Sequence, residues 1–380
     1  MTLTARISPL LDMNTTRQQQ QQRRQGQPLN LAYFGSGAFG LPTLRSLASD
    51  RIDDFHLSVV ITQPDRPAGR GRQLTPTPMA QWMHENHPDI PVIKTDDANA
   101  SEVIAHLDEC APLPRAFVVI AFGQKLQPTL LRDILAINLH ASLLPKYRGA
   151  APINHAMMNN ESITGVSVIT LADRMDAGDI LATESVEIRP DETAGELHDR
   201  LANLGPSAVG RTLRAFLNDD LHPIKQDESL ATLAPKLRKS EGTVAFDQSA
   251  EKVRARIHGL NPWPGCTVVL KKKRDENDAR ESQNHDPDSH LVKLGLVRDY
   301  PCFNPDGASH QPVSPGTIFE SSEGGGERRR MLLIACRTGA IEILRIQPPG
   351  KRMMEFADYL NAHPLQPGDV FCRKTVAGKP

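Results

Sequence analysis

From Leu29 onward the hydrophobic positions fall into short, dense runs separated by turn residues. Leu29 to Phe34 is apolar, Gly35 to Gly40 is a glycine turn, and Pro42 to Leu47 opens a helix. His56 to Thr62 reads as a second strand. Ala116 to Phe122 reads as a third, apolar throughout, as expected where helices cover both faces of a sheet. Ala136 to His140 gives a fourth strand and Gly165 to Leu171 a fifth. Helical stretches lie between them at Met79 to His87, Ala100 to Leu107 and Pro128 to Ile134. The alternation predicts an α/β domain built on a mostly parallel, doubly wound sheet. Thr193 and Glu196 form a capping box ahead of Leu197, Leu201 and Leu204. Gly205 then suits a helix end, and Pro206 the first turn of a following helix through Leu217.

The pattern changes beyond that helical pair. Residues 218–240 are polar, and 223–240 reads as a linker between a first domain over 29–222 and a second over 241–380. The second domain opens with a helix, Ala250 to His258, and the loop Asn261-Pro-Trp-Pro-Gly265. Short β-rich runs follow at Cys266 to Leu270, Gly316 to Phe319, Met331 to Ala335 and Ala340 to Ile346, which suggest a small barrel. Residues 271–311 are charged, starting with Lys271-Lys-Lys-Arg274, and read for the most part as a solvated insertion. Residues 1–28 carry a glutamine run, Gln18 to Gln22, with four arginines and one acid. They read as a disordered tail or an over-extended start, with an organellar transit peptide as the alternative; no apolar stretch suits a secretory signal.

Composition narrows the class. Hydrophobic residues make up 39% of 380, enough to bury a core, and a chain of this length suits two or three domains. The longest apolar run, Ala116 to Gly123, is far too short to cross a bilayer as a helix. Net charge is -1, so no global field advertises a polyanionic partner. The halves differ: 20 basic against 25 acidic residues up to 223 gives -5, and 24 against 20 beyond it gives +4. That surplus fits either a polyanion-facing second domain or a merely soluble basic surface. Five cysteines without a C-x-x-C pair exclude a zinc ribbon and do not suggest a disulfide framework.

Two motifs compete for the chemistry. Gly35 to Gly40 fits G-x-G-x-x-G after a strand, as in a dinucleotide fingerprint. The acid that should hold a ribose belongs at the end of the second strand about 20 residues on; the nearest candidate at that strand end, Asp65, comes 30 residues after Gly35, in the arginine-rich stretch Gln63 to Arg72. A tight strand–helix turn is the simpler reading. The second motif is richer. Asn138 and His140 are two apart on a strand, so they project together while Leu139 packs opposite. An amide beside an imidazole at a strand end supplies donors for a developing oxyanion, unless the pair merely ends an edge strand. Ser142-Leu-Leu-Pro145 follows, then Arg174-Met-Asp-Ala-Gly-Asp179, where Gly178 permits a sharp turn that swings the Asp176 carboxylate towards the imidazole. No adjacent Ser or Cys looks like an activated nucleophile, so the site suits a nucleophile carried by the substrate.

Asn-x-His, Ser-Leu-Leu-Pro and Met-Asp-x-Gly together resemble the signature of the folate-dependent formyltransferases. The arginine-rich stretch and Tyr147-Arg-Gly-Ala-Ala-Pro152 resemble the tRNA-directed branch of that family. Asn261-Pro-Trp-Pro264 and Gln347-Pro-Pro-Gly-Lys351 resemble that branch's barrel. The likeness covers residues 29–265 and 315–372; the tail, the 271–311 segment and the unusually glycine-rich turn depart from it. It implies a Rossmann-like domain followed by an OB-like β-barrel. It also implies formyl transfer from 10-formyltetrahydrofolate to the α-amino group of methionyl initiator tRNA. Asn138, His140 and Asp176 match the catalytic positions, and Ser142, Leu143, Leu144 and Pro145 the folate-contacting segment. Arg66, Arg70 and Arg72 match the loop that meets the tRNA acceptor end, a loop expected to be irregular because of Pro67, Gly69 and Gly71. The expected protein is a monomer that needs no metal and no membrane. It is expected in the cytoplasm, or in an organellar matrix if the tail is a transit peptide. A formyltransferase for a small amine, such as glycinamide ribonucleotide or an amino sugar, is the alternative. A nicotinamide-dependent dehydrogenase using the glycine turn is a third reading.

Overall fold

The computed structural model describes residues 28–374 apart from 50–53, 70, 132–133, 274–288, 304–312 and 323–329. The tail therefore lies outside the described residues, except for position 28. The chain forms two compact units, each assembled from several stretches. The first takes the chain through Leu144, then Val166–Glu184 and Leu201–Ser229; the second takes Pro145–Gly165, Ser185–Arg200 and Leu230 onward.

The first unit is built on β1 (Leu29–Gly35), β2 (Phe55–Thr62), a hairpin of β3 (Arg66–Ala68) and β4 (Gln73–Thr75), and β5 (Val92–Lys94). It continues through β6 (Ala116–Ile120), β7 (Leu135–His140), β8 (Ile163–Thr170) and β9 (Ile180–Glu187). The main sheet runs β5-β2-β1-β6-β7-β8-β9. The pairs β1–β2, β1–β6, β2–β5 and β6–β7 are parallel, and β7–β8 is antiparallel. Every residue of β1 is buried, because both faces are covered. On one face Ala32 and Phe34 join Phe117 and the helical Val103 and Leu107. On the other, Tyr33 packs beneath the glycine turn and donates its hydroxyl to the Gly40 carbonyl at 2.9 Å. A Cβ on Gly35 would come within 2.6 Å of the Tyr33 ring, and one on Gly40 would collide with its hydroxyl. The glycines are there to admit a buried ring.

Two short or half-buried strands, β5 and β9, escape the hydrophobic pattern. Gly205 begins the helix Gly205–Leu217 instead of ending the one before. The capping box forms: Thr193 N–H donates to Glu196 Oε2 at 2.7 Å, and Glu196 N–H to Thr193 Oγ1 at 3.4 Å.

The second unit carries an antiparallel sheet of β10 (Cys266–Lys271), β11 (Ser289–Tyr300), β12 (Ile318–Ser322), β13 (Arg330–Ala335), β14 (Ala340–Gln347), β15 (Met354–Glu355) and β16 (Val370–Arg373). The order is β12-β13-β14-β11-β10-β16, with β15 beside β14. The ends meet: Thr317 bridges Val370, and Ile318 N–H donates to Asp369 O at 2.8 Å, so the sheet closes as a barrel. Val253 and Ile257 of the helix Ala250–Gly259 share its core with Val268, Val292, Leu294, Ile343 and Phe371.

The barrel corrects one expectation. Within the segment 271–311, expected to be for the most part a solvated insertion, residues 289–300 instead form β11, twelve residues long and paired with β10 on one side and β14 on the other. Val292, Leu294 and Val297 are buried within it, and the charged stretches around it masked their pattern. Positions 274–288 and 304–311 fall outside the described residues. The polar stretch 223–240 also differs from a free linker. Ile224 exchanges backbone hydrogen bonds with Ile180, at 2.8 and 2.9 Å; further on, Ala234 N–H donates to Arg148 O at 2.7 Å.

Candidate active site

The site is built from the end of β7 outward. Asn138 pairs with Val119 of β6 and Ile169 of β8, and His140 pairs with Ser167, so β7 has neighbours on both sides and is no edge strand. Leu139 is buried on the opposite face, where a Cβ on Gly205 would lie 2.8 Å from its Cδ2. Strand alternation therefore directs Asn138 and His140 to the other side. His140 Nδ1 lies 3.6 Å from Asp176 Oδ2, with side-chain exposures of 6% and 13%. This is ion-pair range, longer than a hydrogen bond. The structure thus brings together His140 and an acid 36 positions away in sequence.

Asp176 reaches that place through a tight turn. Its own φ is +55°, a left-handed conformation uncommon for a side-chain-bearing residue. A Cβ on Gly178 would collide with the Thr170 carbonyl, so only glycine passes there. Thr170 N–H donates to Asp179 O at 3.0 Å, and Asp179 N–H donates to Thr170 Oγ1 at 2.9 Å, closing the turn against the end of β8. Gln226 Nε2 donates to the carbonyls of Asp176 and Gly178 at 2.8 and 2.7 Å.

Ser142 and Leu144 are buried and Leu143 is partly exposed. Ser167 shapes them: its Oγ donates to Ser142 O at 2.7 Å and accepts from Leu144 N–H at 3.1 Å. Pro145 opens the second unit, in which Tyr147, at φ +64°, donates its N–H to Thr232 Oγ1 at 2.8 Å. The Tyr147 hydroxyl donates to Glu161 Oε1 at 2.7 Å, and Lys146 Nζ approaches the same oxygen at 3.1 Å. The phenol's hydrogen bond, aided by the ammonium, holds the Glu161 carboxyl below its ordinary range; burial pushes the Tyr147 phenol up.

The arginine-rich stretch is more regular than expected. Arg66 pairs with Thr75 and Ala68 with Gln73 in a two-stranded hairpin, because Pro67 sits opposite Leu74 on a ribbon that has no third strand to satisfy. All six strand residues are exposed. Arg66 Nη2 meets Asp96 Oδ1 at 3.0 Å, and Arg72 lies in the turn at φ +48°. Arg70 lies outside the described residues.

The glycine turn offers a dinucleotide little. Ser36 and Gly37 direct their N–H groups at the Ala121 carbonyl, at 3.3 and 3.1 Å, and Asp65 pairs with Lys94 at 2.6 Å. The amides and the acid that such a ligand would need are already engaged. Sequence reasoning missed Ser167 and Gln226. Ser167 was hidden as a small polar residue within a β-rich run, and Gln226 as one polar residue among many in the presumed linker. Among the described residues no helix is long and apolar enough to cross a membrane, and no group of three His, Cys, Asp or Glu is placed to hold a metal ion.

Residues 29–213 match the family model described as formyl transferase, and residues 236–364 match formyl transferase, C-terminal domain. The methionyl-tRNA formyltransferase of Moorella thermoacetica is 34% identical over 345 residues, 90% of this chain and 99% of that protein. That of Geobacter sulfurreducens is 34% identical over 343 residues, 90% of this chain and 96% of its own length. Among solved structures, an N-formyltransferase from Helicobacter canadensis in complex with folinic acid and dTDP-3-aminofucose shares the fold. Its TM-score is 0.53 at 15% identity, covering 83% of this chain and 98% of that one. HypX from Aquifex aeolicus in complex with tetrahydrofolic acid gives a TM-score of 0.50 at 16% identity, covering 88% of this chain and 47% of that one.

Proposed function

This chain belongs to the formyl transferase family, and we propose that it transfers the formyl group of 10-formyltetrahydrofolate to the α-amino group of methionyl initiator tRNA. The observation that supports it is His140 beside Asp176 at the end of β7, with Asn138 two residues earlier on the same strand, within a chain that matches tRNA-directed relatives over nearly their whole length.

The residues present suit such a donor. An amide and an imidazole are the N–H donors a formyl oxygen accepts, and Ser142 to Pro145 would line the folate beside them. The folate supplies a formyl group already activated on nitrogen. The methionyl amine brings the nucleophile, and its pKa of about 8 leaves a useful neutral fraction at pH 7. As its nitrogen bonds to the formyl carbon, negative charge builds on the oxygen. Asn138 and His140 donate to that oxygen from fixed positions, which lowers the barrier without reorganisation at the moment of reaction. Asp176 orients the imidazole and helps the amine proton leave. As the oxyanion collapses, the bond between the formyl carbon and the folate nitrogen breaks, and that nitrogen takes up a proton and departs as tetrahydrofolate.

Arg66, Arg70 and Arg72 are assigned to the acceptor end of the tRNA, whose phosphates and guanine edges a guanidinium engages in pairs of hydrogen bonds. The cytoplasm, where initiator tRNA is charged, is the expected compartment, and a monomer the expected state.

Transfer of labelled formyl to charged initiator tRNA tests the reading, with charged elongator tRNA, glycinamide ribonucleotide and an amino sugar nucleotide as parallel acceptors. Preference for initiator tRNA supports it. Transfer to a small amine but not to tRNA would replace it.

A further inference from the structure

Three residues of the presumed linker, each two apart, grip the loop that carries Asp176. Ile224 exchanges both backbone hydrogen bonds with Ile180, at 2.8 and 2.9 Å. Glu228 Oε2 meets Arg174 Nη2 at 3.1 Å. Between them, the Gln226 amide nitrogen donates to the carbonyls of Asp176 and Gly178. The three contacts lie within five residues, ending where the short 3-10 helix Glu228–Leu230 begins, so one short stretch of chain braces the loop.

The Gln226 contact differs in kind from the other two. Ile224 acts through backbone that any residue would supply. The Arg174–Glu228 pair is exposed, at 72% and 54%, and such pairs add little. Gln226 holds the carbonyl of Asp176, whose carboxylate faces His140. It holds it in a left-handed conformation, φ +55°, that the chain would otherwise relax. The carboxylate is 3.6 Å from Nδ1, a separation at which a small shift of the turn decides whether it orients the ring at all.

We propose that Gln226 is a positioning residue for formyl transfer: its side-chain amide fixes the Asp176–Gly178 turn so that the Asp176 carboxylate stands opposite His140. The proposal rests on the formyltransferase reading above.

Its test is a kinetic cycle in the full chain, with formyl transfer to charged initiator tRNA as the readout. Gln226→Leu removes both donors, and Gln226→Glu sets a carboxylate against two carbonyls. Each should lower kcat about 10- to 100-fold, the range expected when a catalytic group moves by up to 1 Å, with the KM for folate and for tRNA held within about twofold. Gln226→Lys, which restores a donor, should recover most of the loss. In an Asp176→Ala background Gln226→Leu should cost nothing more, because the residue acts through Asp176. A kcat within twofold of the parent in both single variants would overturn the proposal. So would equal losses with and without Asp176, which would mark a general structural role. Should the parent chain itself form no formylated tRNA, the functional reading fails instead, and the two failures are distinct.

Discussion

Two turns in the same compact unit are built in opposite ways. The turn around Asp176 is nearly buried and is held by Gln226, by Thr170 and by a glycine that no other residue can replace. The arginine hairpin is exposed along both strands, and its described side-chain anchor to the rest of the fold is one ion pair with both partners more than half exposed. The first turn carries chemistry and the second, on our reading, carries recognition. Stabilising a developing charge demands groups that are in place beforehand. A surface that must accept a large and flexible partner can take its final shape on contact, with some binding energy used for ordering. The difference teaches where precision is bought in this molecule.

The contrast can be broken at its strong end first. Asn138→Ala and His140→Ala should each lower kcat by ~10²–10³, the usual consequence of losing a donor to an oxyanion, while circular dichroism and folate binding persist. Near-parental turnover in either variant would remove that residue from the mechanism. Gly178→Ala is next. A methyl driven against the Thr170 carbonyl should lower unfolding free energy by about 3 kcal/mol, and turnover with it. A thermally unaltered variant would show the turn to be softer than its geometry says.

Ser167→Ala sharpens the picture at intermediate scale. It leaves the Leu144 N–H without its side-chain acceptor, so a loss of roughly 1–3 kcal/mol is expected in denaturant titration, together with a raised KM for the folate. An unchanged KM would detach the Ser142 to Leu144 segment from the donor. The hairpin should give the smallest response in stability. Arg66→Ala breaks the exposed pair with Asp96 and should change stability by no more than ~0.5 kcal/mol, while tRNA affinity and its salt dependence both decrease. A large thermal shift in this variant would erase the contrast between the two turns.

Much of this was legible in the chain. Asn138 and His140 could be assigned to one face because strand alternation is a local rule, and Gly178 announced a turn because glycine is the residue that tight backbone requires. The rest depended on partners distant in sequence. Gln226 sits 50 positions from Asp176, and nothing in its own neighbourhood marks it out. β11 was obscured because charged residues crowd either side of a strand whose alternation of buried positions is broken by a register shift between Leu294 and Val297. The hairpin was misjudged because Pro67 and two glycines are breakers in a wide sheet, yet an isolated two-stranded ribbon tolerates them.

The assembly of each unit from several stretches bears on how the protein is made. Chains emerge from the ribosome N-terminus first, at roughly 5–20 residues per second. Pro145–Gly165 belongs with the stretch that begins at Leu230, and the helix Pro152–Met158 docks on the helix Ala250–Gly259 through Asn154 Nδ2 and the Gly259 carbonyl, 2.7 Å apart. The nascent chain must therefore carry that helix unsatisfied until its later partner is synthesised. Folding of the second unit cannot run strictly in the order of translation. A ribosome stalled before Leu230 would hold a chain with Pro152–Met158 already exposed to chaperones and proteases.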